Sequence, residues 1–282
     1  MPFTPSHALV ALPFLRTPLV PAAIAVGAMT PDLPLFVRGT PLTYAVTHSR
    51  AGLLVTVAVA LLLLLVWRCV LRPAVRELSP RWLAVRLPQE WDTPFGPAAR
   101  STLGLSGEGP RRWATPVILA LSLLLGVLSH IGWDELTHAD RWGVVLFPVL
   151  DERWGPLVGY KWLQHGSSVV GMIVLAVCAT LWLRRRSVVP IGPAVAPAWV
   201  RWTWWLSLPA TLVAAWGIGL AVYGPLTPGF GVEHLAYRML PPACGVWGAV
   251  TIAVAVGVQV ARARRARVAG VAGGASTPPT SA

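Results

Sequence analysis

The sequence predicts an all-α protein, a polytopic membrane helix bundle with about five spans and an N-terminal helical hairpin. Three observations favour this fold class: 55% of the 282 residues are hydrophobic, only 12% are charged, and the mean hydropathy is +0.63. A typical soluble domain carries about 25% charged residues, so this chain lacks the polar surface that a soluble enzyme needs. We therefore expect the lipid bilayer to be the partner of its apolar surface.

Five stretches approach the length of about 20 apolar residues that a membrane-spanning helix requires. They cover residues 51–67, 115–132, 168–183, 204–223 and 243–260. The third stretch is short, so we expect neighbouring residues such as Gly166 to extend it.

The net charge of +12 comes almost entirely from arginine, and the arginines are grouped. Eight lie in residues 68–112, four in residues 184–201 and four in residues 262–267. All three segments fall on one side if the five spans alternate, and short cytoplasmic loops retain basic residues. We therefore expect a multi-pass protein of the cytoplasmic (inner) membrane with a cytoplasmic C-terminus. The charge then sets topology, and no nucleic-acid partner is predicted.

This topology divides the chain into three parts. Residues 1–183 are expected to form one domain, with the N-terminal hairpin, three spans and an Arg- and Pro-rich cytoplasmic loop at 68–112. Residues 184–260 are expected to form two further membrane helices. Residues 261–282 are predicted to be a disordered basic tail, because their C-terminal end is rich in Gly, Ser, Thr and Pro.

The segment before residue 51 does not fit a sixth simple span. Two short apolar runs end near Leu15 and Met29, and Arg16-Thr17-Pro18 separates them. If the runs form a hairpin, re-entrant or half-length, His7 returns beside Asp32. If they form one tilted span, the two residues lie roughly 30 Å apart, at 1.5 Å per residue over about 20 residues. The sequence leaves both alternatives open.

The expected topology places the five histidines after His7 on the extracytoplasmic face, and the three Arg-rich segments contain none. The densest polar motif is SHIGWDELTH at 129–138. On a helix, His130 and Asp134 are about 40° apart in direction and about 6 Å apart in rise, so both can hold one metal ion. His138 lies about 12 Å from His130 along the axis. It can join only if the helix ends near Leu136 or if two ions bind.

A purely structural interpretation of the motif is also open, in which Asp134 marks a helix end and His130 bonds a backbone carbonyl. However, ionisable residues at the end of a membrane helix are functional by default. His7, Asp32 and His48 are further ionisable residues expected on the same face, so the whole set favours metal binding.

The motifs MPFTPSHA, GAMTPDLPLF, THS, SHIGWDELTH and QHGSS closely resemble a family of bacterial integral membrane proteins known as domain of unknown function 4184. The resemblance covers residues 1–183. That family is similar to predicted membrane-bound metal-dependent hydrolases. It is more distantly similar to the all-helical superfamily of zinc-dependent phospholipase C and single-strand nucleases.

The resemblance implies a cofactor of one or two divalent ions, zinc or another metal. It implies catalytic roles for Asp32 and Asp134. The superfamily pattern has Glu where this chain has Val169, and its N-terminal amine ligand has no equivalent here, so a full three-zinc cluster is not expected. The implied metal ligands are His7, Asp32, His48, His130, Asp134, His138 and His165.

The activity that the resemblance implies is hydrolysis of a phosphoester, such as a lipid head group, at the extracytoplasmic face. The alternative is a non-enzymatic membrane protein, a scaffold, assembly factor or transporter with a structural His/Asp cluster. A transporter needs polar residues at mid-membrane, and the last two spans offer few. No oligomeric state is predicted.

Overall fold

A computed structural model describes residues 3–106, 111–192 and 194–274 of the chain. Within these ranges nearly all regular structure is helical, as the predicted all-α class requires. The exception is a small antiparallel hairpin of β1 (Arg153–Trp154) and β2 (Leu157–Val158). Its turn contains Gly155 at φ +70°, a backbone conformation that glycine adopts without strain.

The described ranges contain twelve α-helices, four 3₁₀ helices and one π-helical stretch. The α-helices are α1 (Pro21–Met29), α2 (Leu33–Phe36), α3 (Tyr44–Thr47), α4 (Leu53–Leu65), α5 (Arg72–Leu78), α6 (Arg81–Ala84), α7 (Phe95–Thr102), α8 (Arg111–Thr137), α9 (Trp142–Leu146), α10 (Gly159–Arg184), α11 (Ala198–Tyr223) and α12 (Val232–Gly274). The 3₁₀ helices are Thr4–Phe14, Thr30–Asp32, Gln89–Asp92 and Pro148–Asp151, and Val66–Leu71 is a π-helical stretch that joins α4 to α5.

Among the described residues, five helices are long and apolar enough to cross a membrane, which confirms the predicted number of spans. They are Leu53–Leu78, Trp113–Thr137, Gly159–Arg184, Ala198–Tyr223 and Val232–Val268. The third begins at Gly159, well before the apolar stretch that starts at residue 168, so His165 lies within the helix. The last begins at Val232, which likewise places His234 in a helix.

The chain forms two compact units. Unit 1 contains Met1–Val66 and Ala99–Arg186, and unit 2 contains Trp67–Ala98 and Ser187–Ala282. Most of the Arg- and Pro-rich segment 68–112, which the sequence assigned to the first domain, therefore packs with the last two helices. The reason is that α5 within this segment packs against α11 and α12.

In unit 1 the N-terminal segment is a hairpin, so the alternative of one tilted span is excluded. The helix Thr4–Phe14 packs against α1 and α10, and α1 packs against α8. The α1–α8 contact is very close, because a Cβ at Gly27 would overlap the Leu123 carbonyl and one at Gly126 would overlap the Ile24 carbonyl. Small residues permit such approach between membrane helices.

In unit 2 the carboxylate of Glu77 connects three segments. It accepts hydrogen bonds from the backbone N–H of Val195 at 2.8 Å and from the guanidinium of Arg262 at 3.0 Å. Arg262 also donates to Asp92 at 3.2 Å. This network holds the C-terminal part of α12 against α5.

The helix α12 continues to Gly274, so residues 261–274 are helical and the prediction of disorder is wrong for them. Alanine and arginine dominate this part of the sequence, and both have high helix propensity. The rest of the predicted tail, residues 275–282, lies outside the described residues.

Candidate metal centre

Five polar side chains from four segments of unit 1 lie close together in its interior. His7 comes from the helix Thr4–Phe14, Asp32 ends the helix Thr30–Asp32, and His48 follows α3. His130 and Asp134 lie one turn apart on α8. Two three-residue groups have ligand atoms that all lie within 4.8 Å of one another, and they share His130: His7 with His130 and Asp134, and Asp32 with His48 and His130.

Polar contacts at the start of the hairpin fix its position along α10 and next to Asp32. The Phe3 N–H donates to the Ser168 hydroxyl on α10 at 2.8 Å. The Thr4 hydroxyl donates to Asp32 Oδ2 at 2.7 Å. A Cβ at Gly171 would come within 3.0 Å of Ser6 Cβ, so α10 approaches the hairpin closely at this level. Together these contacts place His7 and Asp32 beside His130.

The atoms at the centre are spaced as the corners of a metal coordination shell are. Nε2 of His48 lies 3.4 Å from Nε2 of His130 and 3.4 Å from Oδ2 of Asp134. The His130 Nε2 lies 3.5 Å from Oδ2 of Asp134 and 3.7 Å from Oδ1 of Asp32. Two ligands about 2.1 Å from a tetrahedral zinc ion lie about 3.4 Å apart. The three separations among His48, His130 and Asp134 match this value.

The hydrogen bonds of the two imidazoles determine which ring nitrogen is free. Nδ1 of His130 lies 2.7 Å from the Ala28 carbonyl, and Nδ1 of His48 lies 3.2 Å from the Tyr44 carbonyl. A carbonyl only accepts, so each Nδ1 carries the hydrogen and each neutral ring presents an Nε2 lone pair to the centre. A bond from the outer ring nitrogen to a carbonyl is the usual support of a metal-bound histidine.

Three buried atoms at the centre have no hydrogen-bond partner among the described residues. They are Nε2 of His7, Oδ1 of Asp32 and Oδ1 of Asp134. Buried polar atoms without partners are rare, because each costs about 1–3 kcal/mol. An ion that accepts these lone pairs would remove that cost, so the donor set fits a divalent metal.

Burial also sets the protonation of the groups that lie outside the spans. It lowers the pKa of His7 from 6.5 to about 3, with the neighbouring His130 acting in the same direction. Burial raises the pKa of Asp32 and of the Tyr44 hydroxyl, and it lowers the pKa of His138. His7 is therefore neutral at physiological pH, the form in which imidazole binds metals.

His138 lies at the edge of the cluster. Because α8 ends at Thr137, His138 can turn back, and its Nδ1 reaches 3.6 Å from Oδ1 of Asp134. Nδ1 also lies 3.2 Å from the Asp134 backbone carbonyl, to which it donates. Its Nε2 lies 3.2 Å from Nε2 of Gln164 and accepts from that amide, whose oxygen accepts from Lys161 Nζ at 2.8 Å. Both ring nitrogens of His138 are thus engaged, and it belongs to neither metal-ligand group.

His165 is exposed and belongs to neither metal-ligand group. The early start of α10 explains this, because the residue that the helix turns inward is Gln164, which is fully buried. Gln164 takes the place beside His138 that the motif QHGSS had suggested for His165.

Sequence reasoning missed two residues that contact the carboxylates. The Tyr44 hydroxyl donates to Oδ2 of Asp134 at 3.0 Å, and its ring stacks on His48 with centroids 3.6 Å apart. The Thr4 hydroxyl donates to Asp32. Tyr44 precedes His48 by one helical turn, and this spacing is the one sequence signal that could have identified it.

Comparison with known proteins gives one match. The model of a protein family described as "Domain of unknown function (DUF4184)" matches residues 1–258. The match extends beyond the residues on which the sequence resemblance rested and includes both α11 and most of α12. None of the curated proteins and none of the solved structures matches the chain.

Proposed function

Because the chain belongs to the DUF4184 family, a domain of unknown function, we propose its activity from the site itself: a membrane-embedded, metal-dependent hydrolase of phosphoesters. One observation carries this proposal. Nε2 of His48, Nε2 of His130 and Oδ2 of Asp134 lie 3.4–3.5 Å from one another, as three ligands of a tetrahedral ion do. Three protein ligands leave the fourth position open for water.

The ligand chemistry supports zinc or another divalent metal of similar preference. Imidazole nitrogen and carboxylate oxygen together are the usual ligands of open, catalytic zinc sites, whereas sites for magnesium and calcium are built from oxygen alone. Because the two ligand groups share only His130, the five residues have the capacity for one or two ions.

A metal bound here would lower the pKa of a coordinated water to about 7 and stabilise charge on phosphoryl oxygens. The protein supplies the remaining steps. Asp32, whose Oδ2 is held by Thr4, presents Oδ1 to the centre and accepts the proton of the attacking water. The water oxygen forms the new bond to phosphorus, the bond from phosphorus to the ester oxygen breaks, and that oxygen takes up the proton that Asp32 accepted.

Asp134 is oriented by three neighbours. Tyr44 donates to its Oδ2, and His48 and His130 lie 3.4 and 3.5 Å from the same oxygen. The Arg141 guanidinium lies 6.0 Å from the centre of the Tyr44 ring and is the nearby cation that would bind the substrate phosphate.

The substrate in this proposal is a lipid head group, and the site faces the extracytoplasmic side of the inner membrane with the C-terminus in the cytoplasm. The supporting observations are the five membrane-length helices and the concentration of arginine in segments 68–112, 184–201 and 262–267. A green fluorescent protein fused to the C-terminus should fluoresce and an alkaline phosphatase fusion there should be inactive. The reverse result would contradict the orientation.

Metal content and hydrolysis test the proposal together. Protein from zinc-replete cells is purified in detergent, and elemental analysis is compared for wild type, His130→Ala, Asp134→Ala and the control His165→Ala, whose side chain is exposed. We expect zinc in wild type and control and its loss in the two cluster variants, with hydrolysis of phospholipid and lipid phosphate lost in parallel. Wild type without metal would indicate a structural cluster and a scaffold role.

A further inference from the structure

An apolar groove of about 420 Å³ opens beside the metal centre in unit 1. The hairpin residues Leu9, Val10 and Pro13 form one wall, and Trp133 of α8 and Val170 of α10 form the other. Its volume lies in the range of about 300–1,000 Å³ that is typical of small-molecule sites. Both helices of the second wall are long and apolar enough to span a membrane.

The groove shares one residue, His7, with the candidate metal centre. His7 lines it, and three serine and tryptophan positions that line it are the chain neighbours of cluster residues: Ser6 precedes His7, Ser129 precedes His130, and Trp133 precedes Asp134. A molecule in the groove therefore contacts the cluster through His7.

The polar groups of the groove are already satisfied by the protein. The hydroxyls of Ser6 and Ser129 donate to the backbone carbonyls of Phe3 and Gly126, each at 2.7 Å. The indole of Trp133 donates to Ser167 Oγ at 3.2 Å. Among the described residues that line the groove, the buried polar atom without a partner is His7 Nε2. The walls thus suit a hydrocarbon chain, and the polar atom that remains available for a ligand among the described lining residues is His7 Nε2.

The mouth of the groove faces the surface that lipid covers in a membrane. Val170 is 57% exposed, and its neighbours on α10, Val169 and Ile173, are 60% and 57% exposed. Exposed apolar side chains on a membrane-length helix contact acyl chains, because those chains are the solvent there.

We infer that this groove binds the hydrocarbon chain of a membrane phospholipid and directs its phosphate to the cluster of His7, Asp32, His48, His130 and Asp134. This inference rests on the proposed function for the fate of the phosphate. The binding of the chain itself does not require that hydrolysis occurs. A phosphoester without a long chain would lack the contacts with Leu9, Val10 and Val170.

The test uses the full-length protein in nanodiscs that contain phosphatidic acid with a diazirine at the end of one acyl chain. After illumination, labelled residues are mapped by mass spectrometry. We expect labelling concentrated at Leu9, Val10 and Val170. Labelling spread evenly over exposed apolar residues of both units, such as Leu206 and Val213, would overturn the inference.

A pair of adjacent variants provides the matched comparison. Val170→Trp fills the mouth of the groove, whereas Val169→Trp adds the same side chain at a similarly exposed position that does not line it. We expect Val170→Trp to reduce labelling of Leu9 and Val10 by about tenfold and Val169→Trp to leave it unchanged. Equal labelling of Leu9 and Val10 in the two variants would contradict binding of the acyl chain in the groove.

The two proposals fail in different ways. If groove labelling is found but no metal is bound and no phosphoester is cleaved, the proposed hydrolase is wrong and the lipid site stands. If hydrolysis occurs and Val170→Trp changes KM equally for phosphatidic acid and for p-nitrophenyl phosphate, which has no acyl chain, the lipid site is wrong and the hydrolase stands.

Discussion

Nε2 of His48 and Nε2 of His130 face each other at 3.4 Å, and each ring uses its Nδ1 to bond a backbone carbonyl. Two lone pairs at this distance repel unless a cation lies between or beside them. Asp32 and Asp134 bring further lone pairs to the same point. The site is thus built from acceptors, and this is the basis of the metal-centre interpretation.

Removal of the metal should destabilise unit 1. A ligand that binds only the folded state stabilises it by about 2.7 kcal/mol at a concentration one hundred times its Kd. We therefore expect a chelator to lower the melting temperature of wild type in detergent and to leave that of His130→Ala unchanged. A melting temperature that is insensitive to the chelator in both proteins would argue against a bound ion.

The hydroxyl of Tyr44 should affect the centre through Asp134. Tyr44→Phe keeps the ring that stacks on His48 but removes the 3.0 Å hydrogen bond to Oδ2. Loss of such an outer contact typically reduces metal affinity by about 10–100-fold. Competition with a fluorescent zinc chelator measures this affinity, and Tyr223→Phe, in unit 2, is the control. Unchanged affinity in Tyr44→Phe would mean that the contact does not support the site.

The close contact of α1 with α8 should be sensitive to one methyl group. A Cβ at Gly126 would overlap the Ile24 carbonyl, whereas one at Gly132 on the same helix meets nothing within 4 Å. We expect Gly126→Ala to destabilise the protein by about 1–3 kcal/mol and to weaken zinc binding, because it pushes the hairpin away from His130. Gly132→Ala should behave as wild type in thermal unfolding and zinc titration, and similar losses in both variants would refute the packing argument.

The Glu77 network should stabilise unit 2 without affecting the metal. Glu77→Ala leaves the partly buried Arg262 and two backbone N–H groups without their acceptor. The expected cost is about 2 kcal/mol, at the lower end of values for breaking a buried pair because Arg262 is partly solvated. Glu233→Gln, at an exposed position, is the control. A loss of zinc together with stability would show that the two units are coupled.

Features that depend on a short stretch of sequence could be predicted, whereas features that depend on how helices pack against one another could not. The five spans follow from apolar length, and the pairing of His130 with Asp134 follows from helical geometry alone. The closure of the hairpin could not be decided, because the same two apolar runs suit a single tilted span. It depends on Gly27 and Gly126, whose importance is visible only once α1 lies against α8.

Some site residues could be identified from the sequence, and others could not. His7, Asp32 and His48 were identified as chemistry-bearing types on one face, and the structure brings them to His130. His165 was selected by its motif, but α10 begins at Gly159 and turns Gln164 inward instead. Helix ends are set by local capping and packing, which a hydropathy pattern does not resolve. The contacts of Tyr44 with Asp134 and of Gln164 with His138 cross between elements, so the chain carried little sign of them beyond the one-turn spacing of Tyr44 and His48.

Zinc K-edge X-ray absorption of the purified protein tests the metal centre most directly. The account predicts a shell of imidazole nitrogen and carboxylate oxygen ligands about 2.0–2.2 Å from zinc, with the imidazole contribution reduced in His48→Ala and unchanged in His234→Ala. A zinc spectrum dominated by water or sulfur ligands, or one that His48→Ala leaves unaltered, would contradict it.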